Sequence, residues 1–388
     1  MKNYARHVWI YKLLMALLSP FFKWRMRYQC VRASELQAPY IVLANHNTDW
    51  DPMLVALSFP QHMYFVASEH IYRWGFISKL LFWCFAPIAR AKGSTDARTV
   101  MEILSRSHAG FNVCIFAEGN RSFNGLTTEI LPATGKLIKA SGATLVTYKI
   151  QGGYFTSPRW SKTIRRGKML GYPVGTYSAE QLKQMTPEEV NDVIRNDLSE
   201  DAYARQQEYP VRYRGKKLAE YLETVLYLCP SCEKIGTLRS SDDHFFCDCG
   251  LKGRYSEYGE LHGDAIPFKS ITAWDMWQTE KLQTISNSIS ATYICSDVEQ
   301  KLYRVQAASG RTLLAHDSLF MYKDKLVCGE YSFNISSISN MAIYGMMSMI
   351  FTTVDGGYYE IISDHPRSAT KYLTLYREQK KRLMDRIS

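Results

Sequence analysis

The sequence predicts an α/β protein: a mostly parallel sheet with flanking helices, followed by a small four-cysteine segment and an antiparallel β domain with a C-terminal helix. Three observations predict it. Up to about residue 200, short apolar runs alternate with stretches of helical periodicity, the pattern of strand–helix–strand units. Two closely spaced cysteine pairs follow at 229–232 and 247–249. Beyond residue 260 the apolar runs become short and are separated by turn residues, as in hairpins.

A chain of 388 residues suits two or three domains, and an apolar fraction of 46% supports a sizeable core. The net charge of +10 and pI of about 9.0 suit nucleic acid or an anionic membrane surface as partner. The 26 Tyr and 8 Trp fit a membrane interface, and equally fit cores and protein interfaces. No secretory signal is expected, because the N-terminus lacks a small-residue cleavage site and Lys12 interrupts its apolar run. Of nine cysteines, four cluster and five are scattered, which argues for reduced thiols and a metal site in the cytoplasm.

Residues 8–22 are mostly apolar, with Lys23, Arg25 and Arg27 after them. A membrane span needs about twenty apolar residues, so this run is too short to cross comfortably. Residues 1–30 are expected to lie in a membrane interface with the basic flank on headgroups. The alternative is an amphipathic helix packed on the next domain.

Residues 40–44 read as a buried strand, and Pro52 opens a helix. Between them lies Asn45-His46-Asn47-Thr48-Asp49-Trp50-Asp51. On an ideal helix His46 and Asp51 would point about 140° apart, so they meet only if the turn bends the chain. If they meet, Asp51 fixes the imidazole tautomer and leaves the other ring nitrogen as a base. Residues 63–67 read as a second strand, 74–89 as a buried or lipid-touching helix, and 95–109 as an amphipathic helix. The run 86–90 ends in Arg90. The strand 113–116 leads into Glu118, Gly119 and Arg121: Gly119 permits a tight turn, and Arg121 offers a planar fork suited to phosphate. A helix over 137–140 stops at Gly142, and 143–150 reads as a fourth strand. His46, Arg90, Glu118 and Arg121 all follow strand ends, where open α/β sheets place their sites.

Asn45-His46-x4-Asp51, Ile88-x-Arg90 and Phe116-x-Glu118-Gly119-x-Arg121, in this order and spacing, resemble the motifs of the glycerolipid acyltransferase family. Its best-known members are the bacterial 1-acylglycerol-3-phosphate acyltransferases. The resemblance covers roughly residues 1–220 and implies an acyltransferase domain over 31–222. It also implies His46 as catalytic base, Asp51 as its orienting partner, and Arg90, Glu118, Gly119 and Arg121 as substrate-binding. Glu118 could hold a glycerol hydroxyl or orient Arg121. The implied reaction moves a fatty acyl group from a thioester donor, acyl-carrier protein or acyl-coenzyme A, to the free hydroxyl of 1-acylglycerol-3-phosphate, giving phosphatidic acid. It calls for no catalytic metal or organic cofactor. The implied location is the cytoplasmic face of a membrane, peripheral or monotopic. Ala117, Asn120 and Thr147 depart from the family pattern, and Lys136 and Lys139 stand near a position where the family often has lysine. Alternatives are acylation of another lysophospholipid or of glycerol-3-phosphate, or a non-catalytic lipid- or nucleic-acid-binding protein.

Arg159, Lys162, Arg165, Arg166 and Lys168 form a basic stretch around Trp160, read either as a membrane or phosphate contact or as a solvated loop. Residues 187–203 read as one charged amphipathic helix.

Cys229-x-x-Cys232 and Cys247-x-Cys249, fourteen residues apart, match a tetrahedral zinc site in a ribbon spanning 223–258, with His244 as a spare ligand. Such a site would be structural, stabilising a segment too small to fold alone. The ribbon holds no concentrated basic patch, so nucleic acid is not the expected partner. Residues 259–388 read as a helix over 270–285, several short strands, and a helix over 367–384. That order of elements resembles a pleckstrin-homology-type barrel.

Overall fold

The computed structural model describes residues 3–68, 75–90, 97–288, 293–306 and 310–385. Trp74 and Thr95, at the expected starts of two helices, lie outside the described residues. The chain divides into two compact units with a boundary at Gly215–Lys216, and Trp160–Thr163 group with the second unit.

The first unit is built on seven strands: β1 (Tyr28–Cys30), β2 (Tyr40–Ala44), β3 (Met63–Ser68), β4 (Ile88–Arg90), β5 (Asn112–Phe116), β6 (Thr144–Gln151) and β7 (Met169–Tyr177). Their order is β1-β7-β6-β2-β5-β3-β4. All neighbours are parallel except β6 and β7. The helices are α1 (Tyr4–Arg25), α2 (Asp51–Ala56), α3 (Phe76–Phe85), α4 (Ala97–His108), α5 (Ala133–Ser141), α6 (Gly153–Thr156), α7 (Ala179–Gln184), α8 (Pro187–Leu198) and α9 (Ala202–Glu208).

Strand β2, and β5 after Asn112, are apolar throughout because both faces are covered. Tyr40, Val42 and Ala44 of β2 join Cys114, Phe116, Val146 and Tyr148 in one core, with Leu54 and Val55 of α2. Ile41 and Leu43 face the other way, onto Val113, Ile115 and Leu145, with Ile138, Val190 and Ile194 from α5 and α8. The two-residue period of a strand thus sorts its side chains into two layers.

One stretch differs from its sequence reading, and one strand had no reading at all. The expected helix over 187–203 is two helices: the chain turns after Leu198, and the Asp201 side chain caps α9 by accepting from the amides of Tyr203 and Ala204. Strand β7 was hidden by Gly171, Pro173 and Gly175, which weaken strand propensity. Packing explains Gly171. A Cβ there would lie 1.9 Å from the Tyr28 hydroxyl and 2.3 Å from that of Tyr148. Those two hydroxyls are hydrogen-bonded to each other at 2.9 Å, and Tyr148 also to Ser58.

The second unit contains a four-stranded antiparallel sheet, β8 (Leu238–Ser241), β9 (His244–Cys247), β10 (Lys252–Tyr255) and β11 (Leu261–His262). Helix α10 (Ile271–Ser288) follows. Its Trp274 indole donates to the Leu228 carbonyl at 2.9 Å, and its Gln278 bridges Tyr227 N–H and the Val225 carbonyl. These bonds fasten the cysteine-bearing segment to the helix. Seven antiparallel strands come next: β12 (Cys295–Gln306), β13 (Gly310–Met321), β14 (Lys325–Cys328), β15 (Tyr331–Asn334), β16 (Ile338–Tyr344), β17 (Ser348–Thr353) and β18 (Tyr358–Ser363). Their order, β15-β14-β13-β12-β18-β17-β16, brings the first and last strands side by side in a half-barrel. Helix α11 (Thr370–Asp385) buries Tyr372, Leu375 and Tyr376 in its core.

Gly171→Ala is expected to destabilise the first unit by about 1–3 kcal/mol, the usual scale for overpacking a tight site. Chemical denaturation of the variant against the parent measures it; an unchanged midpoint would mean the tyrosine pair yields freely.

Candidate active site

Strands β2 and β5 lie side by side and parallel, with Ala44 opposite Phe116. The loops after them therefore emerge at the same edge of the sheet. His46 stands two residues beyond the end of β2, and Glu118 two residues beyond the end of β5.

The first loop is stitched to β6. The Asn45 side chain accepts from the Ile150 amide at 2.7 Å and donates to the Ile150 carbonyl at 2.9 Å, and Asn47 donates to the same carbonyl at 3.1 Å. The chain then curls so tightly that Asp51, first residue of α2, reaches back to His46. Asp51 is buried. Its Oδ2 accepts from His46 Nδ1 at 2.8 Å and from the amides of Asn47 and Thr48 at 2.6 and 2.9 Å. Its Oδ1 accepts from the Thr48 hydroxyl at 2.6 Å. With Nδ1 donating to a carboxylate, the lone pair sits on Nε2. The His46 ring lies against Phe116, with centroids 4.5 Å apart and planes 27° apart.

Glu118 is buried behind this turn. Its Oε1 accepts from the His46 amide at 2.7 Å and its Oε2 from the Thr128 amide at 2.6 Å. Burial pushes its carboxyl up to about 7 against the lowering pull of those two amides. These contacts describe a third role beside the two expected for Glu118, a strut joining the His46 turn to the 118–128 loop. Gly119 has a φ of +66°, and a Cβ there would come within 2.9 Å of Arg90 Nη1. Glycine at this position thus serves both the turn and the close approach of the Arg90 guanidinium.

Arg121 Nη1 lies 2.7 Å from Asp49 Oδ2. The next residue, Ser122, donates its amide to the His46 carbonyl at 3.2 Å, so the arginine-bearing loop is tied directly to the histidine-bearing turn. The Arg121 carbonyl in turn accepts from Arg159 Nη1 at 2.9 Å, and Arg159 stacks 4.1 Å from the Phe123 ring. Burial, with the charge of Arg121 beside it, holds Arg159 down to about 9, while Asp49 pulls the other way.

His46, Asp51, Glu118, Gly119 and Arg121 are therefore connected through two adjacent loops, and Arg90, at the end of β4, reaches the second of them at Gly119. Sequence reasoning missed three participants. Thr48 had a signal: a hydroxyl three residues ahead of a carboxylate at a helix start is the capping-box pattern. Asp49 had none. Arg159 was read with the basic stretch, but Arg159, Trp160 and Arg165 are all buried, so neither the surface reading nor the solvated-loop reading holds for them. Lys139 is taken up elsewhere: its ammonium donates to the carbonyls of Leu182, Lys183 and Met185 at the end of α7.

In the second unit, the thiol sulfurs of Cys229, Cys232, Cys247 and Cys249 all lie within 4.8 Å of one another. The Cys229–Cys249 and Cys232–Cys247 separations are 3.7 and 3.8 Å. A tetrahedral ion with metal–sulfur bonds of about 2.3 Å requires sulfur–sulfur edges of about 3.8 Å, whereas a disulfide requires about 2.05 Å. The donor set fits a metal. His244, on β9, does not belong to the cluster.

Residues 25–151 match the family model described as Acyltransferase. Among solved structures, the chain is similar to the crystal structure of the 1-acyl-sn-glycerophosphate (LPA) acyltransferase PlsC from Thermotoga maritima. The two are 17% identical with a TM-score of 0.42, over 53% of this chain and 81% of that one. None of the curated proteins matches.

Glu118 gives a pH test. Its folded value of about 7 lies above the ordinary 4.5, so folding favours the protonated form. That contribution is complete below pH 4.5 and is lost as pH rises through 7. Relative to Glu118→Gln, the parent should lose roughly 3 kcal/mol of stability across this window, as followed by denaturant titration. Parallel stability curves would show that Glu118 does not titrate there.

Proposed function

We propose that the protein, whose residues 25–151 match the family model described as Acyltransferase, transfers a fatty acyl group from a thioester to the free hydroxyl of 1-acylglycerol-3-phosphate, giving phosphatidic acid. The observation that carries this reading is the buried Asp51 carboxylate 2.8 Å from His46 Nδ1, on a turn bonded to the loop that bears Arg121.

The acceptor hydroxyl gives its proton to His46 Nε2 as its oxygen attacks the thioester carbonyl carbon. Asp51 holds the ring in register and stabilises the imidazolium that forms. The tetrahedral oxyanion then collapses, the carbon–sulfur bond breaks, and the imidazolium proton goes to the departing thiolate. No acyl-enzyme is required, because the acceptor supplies the nucleophile. Arg121 and Arg90 grip the acceptor phosphate, which aligns the hydroxyl with Nε2. Glu118 acts by holding the His46 turn.

Membrane association is part of the same reading. No described helix is long and apolar enough to cross a membrane. Helix α1 exposes Trp9, Leu13, Leu17, Phe21 and Trp24 along one stripe, with the exposed Lys12 and Lys23 beside it. Neighbouring α3 exposes Phe76, Ile77, Leu80 and Trp83. A helix with aromatic and aliphatic residues on one face and lysines at its border suits an anionic lipid surface. We also assign the four-cysteine cluster to one structural zinc ion, held by Cys229, Cys232, Cys247 and Cys249, which would stabilise the turns that carry them.

Purified protein supplied with lysophosphatidic acid and an acyl thioester should yield phosphatidic acid, read by mass. His46→Ala should abolish transfer, and Asp51→Asn should slow it by about 10²–10⁴-fold. Full activity in either variant would end the reading. Metal analysis should find one zinc per chain, lost together with thermal stability in Cys232→Ser; a zinc-free protein of unchanged stability would refute the assignment.

A further inference from the structure

The Asp49–Arg121 pair is not explained by the transfer chemistry. Arg121 Nη1 and Asp49 Oδ2 are 2.7 Å apart, yet the partners sit in opposite environments: the arginine side chain is 12% exposed and the aspartate side chain 81%. Behind Arg121 lies a second guanidinium, the buried Arg159, bonded to the Arg121 carbonyl. The charges of Arg121 and Asp49 both act on Arg159, in opposite senses, so this pair of arginines favours an anion beside them. Asp49 supplies one. Its backbone is anchored on both sides, since Thr48 and Asp51 are locked together by three hydrogen bonds. Its side chain is otherwise mostly in water, with the charge of Arg159 also near it. It can therefore rotate off Arg121 without moving the His46 turn.

We propose that Asp49 is a resident counter-ion of the acceptor site, occupying the Arg121 fork when no acceptor is bound and yielding it to the incoming phosphate. The proposal rests on the phosphate-acceptor reading above and adds a residue to it. Acceptor binding exchanges one ion pair for another in place of creating a new one. The product carries the same phosphate, and the return of Asp49 to Arg121 aids its departure. The residue thus sets how tightly any phosphate acceptor is held, without touching the reacting atoms.

Two consequences separate this role from a merely structural one. An ion pair with one solvent-exposed partner is weak, so removing the competitor should tighten phosphate binding by about fivefold. An exchange of pairs responds little to salt, whereas formation of a new pair is screened. In Asp49→Asn, glycerol 3-phosphate followed by calorimetry should bind about fivefold more tightly than to the parent, and its affinity should fall more steeply with added sodium chloride. In an Arg121→Ala background the same substitution should change neither quantity. With lysophosphatidic acid as substrate the effect should appear as a lower KM. Weaker binding, or an unchanged affinity and salt slope, would overturn the proposal. If glycerol 3-phosphate binding shifts as stated but no acyl transfer occurs, the counter-ion role stands and the proposed reaction falls.

Discussion

A carboxylate removed from water is tolerated only when its oxygens are satisfied by hydrogen bonds. Asp51 meets that demand with an imidazole, two backbone amides and a hydroxyl, all from the preceding five residues. The demand dictates the path of the chain. To bring Asn47 N–H, Thr48 N–H and the Thr48 hydroxyl onto one carboxylate, the turn after β2 must close tightly. Closing it places the His46 ring against Phe116 with one nitrogen committed. The orientation of the His46 ring is thus a by-product of solvating a buried charge with protein groups.

The sheet carries that local geometry to the rest of the site. Because β2 and β5 are parallel and adjacent, their exit loops run side by side, and Glu118 braces them by accepting one amide from each side. Gly119, with its positive φ, lets the Arg90 guanidinium come close to the turn. Ser122 returns the strand-β5 loop to the His46 carbonyl. The two loops that carry His46 and Arg121 are thus tied to each other by backbone contacts, and the His46 ring is fixed by Asp51, which is the kind of order that positional catalysis requires.

Much of this was legible in the residues, for definable reasons. The strands at 40–44 and 113–116 are continuous apolar runs, because both faces of a central parallel strand are buried. The paired cysteines were legible because thiolate spacing is set by the metal and little else. What stayed hidden depends on contacts between distant residues. Strand β7 looks broken by Gly171 and Pro173, and only the Tyr28 and Tyr148 hydroxyls across from it explain the glycine. Arg159 and Arg165 read as surface charge because nothing local announces that Phe123 and the Arg121 carbonyl await one of them. The short strand β1 carries too few residues for any periodicity.

Trp50, between His46 and α2, lies 5.7 Å from the Phe22 ring and 6.5 Å from Phe21 on α1. The exposed aromatic stripe of that helix therefore runs up to the catalytic turn. Drawing a single-chain lipid wholly into water costs about 0.8 kcal/mol for every methylene uncovered, on the order of 10 kcal/mol for a long fatty tail. An enzyme that rests this stripe among acyl tails never incurs that cost. On the function proposed above, the substrate would reach the imidazole by sliding sideways within the leaflet, so the search would be two-dimensional and the rate would follow the lipid's surface density in place of its vanishing concentration in solution.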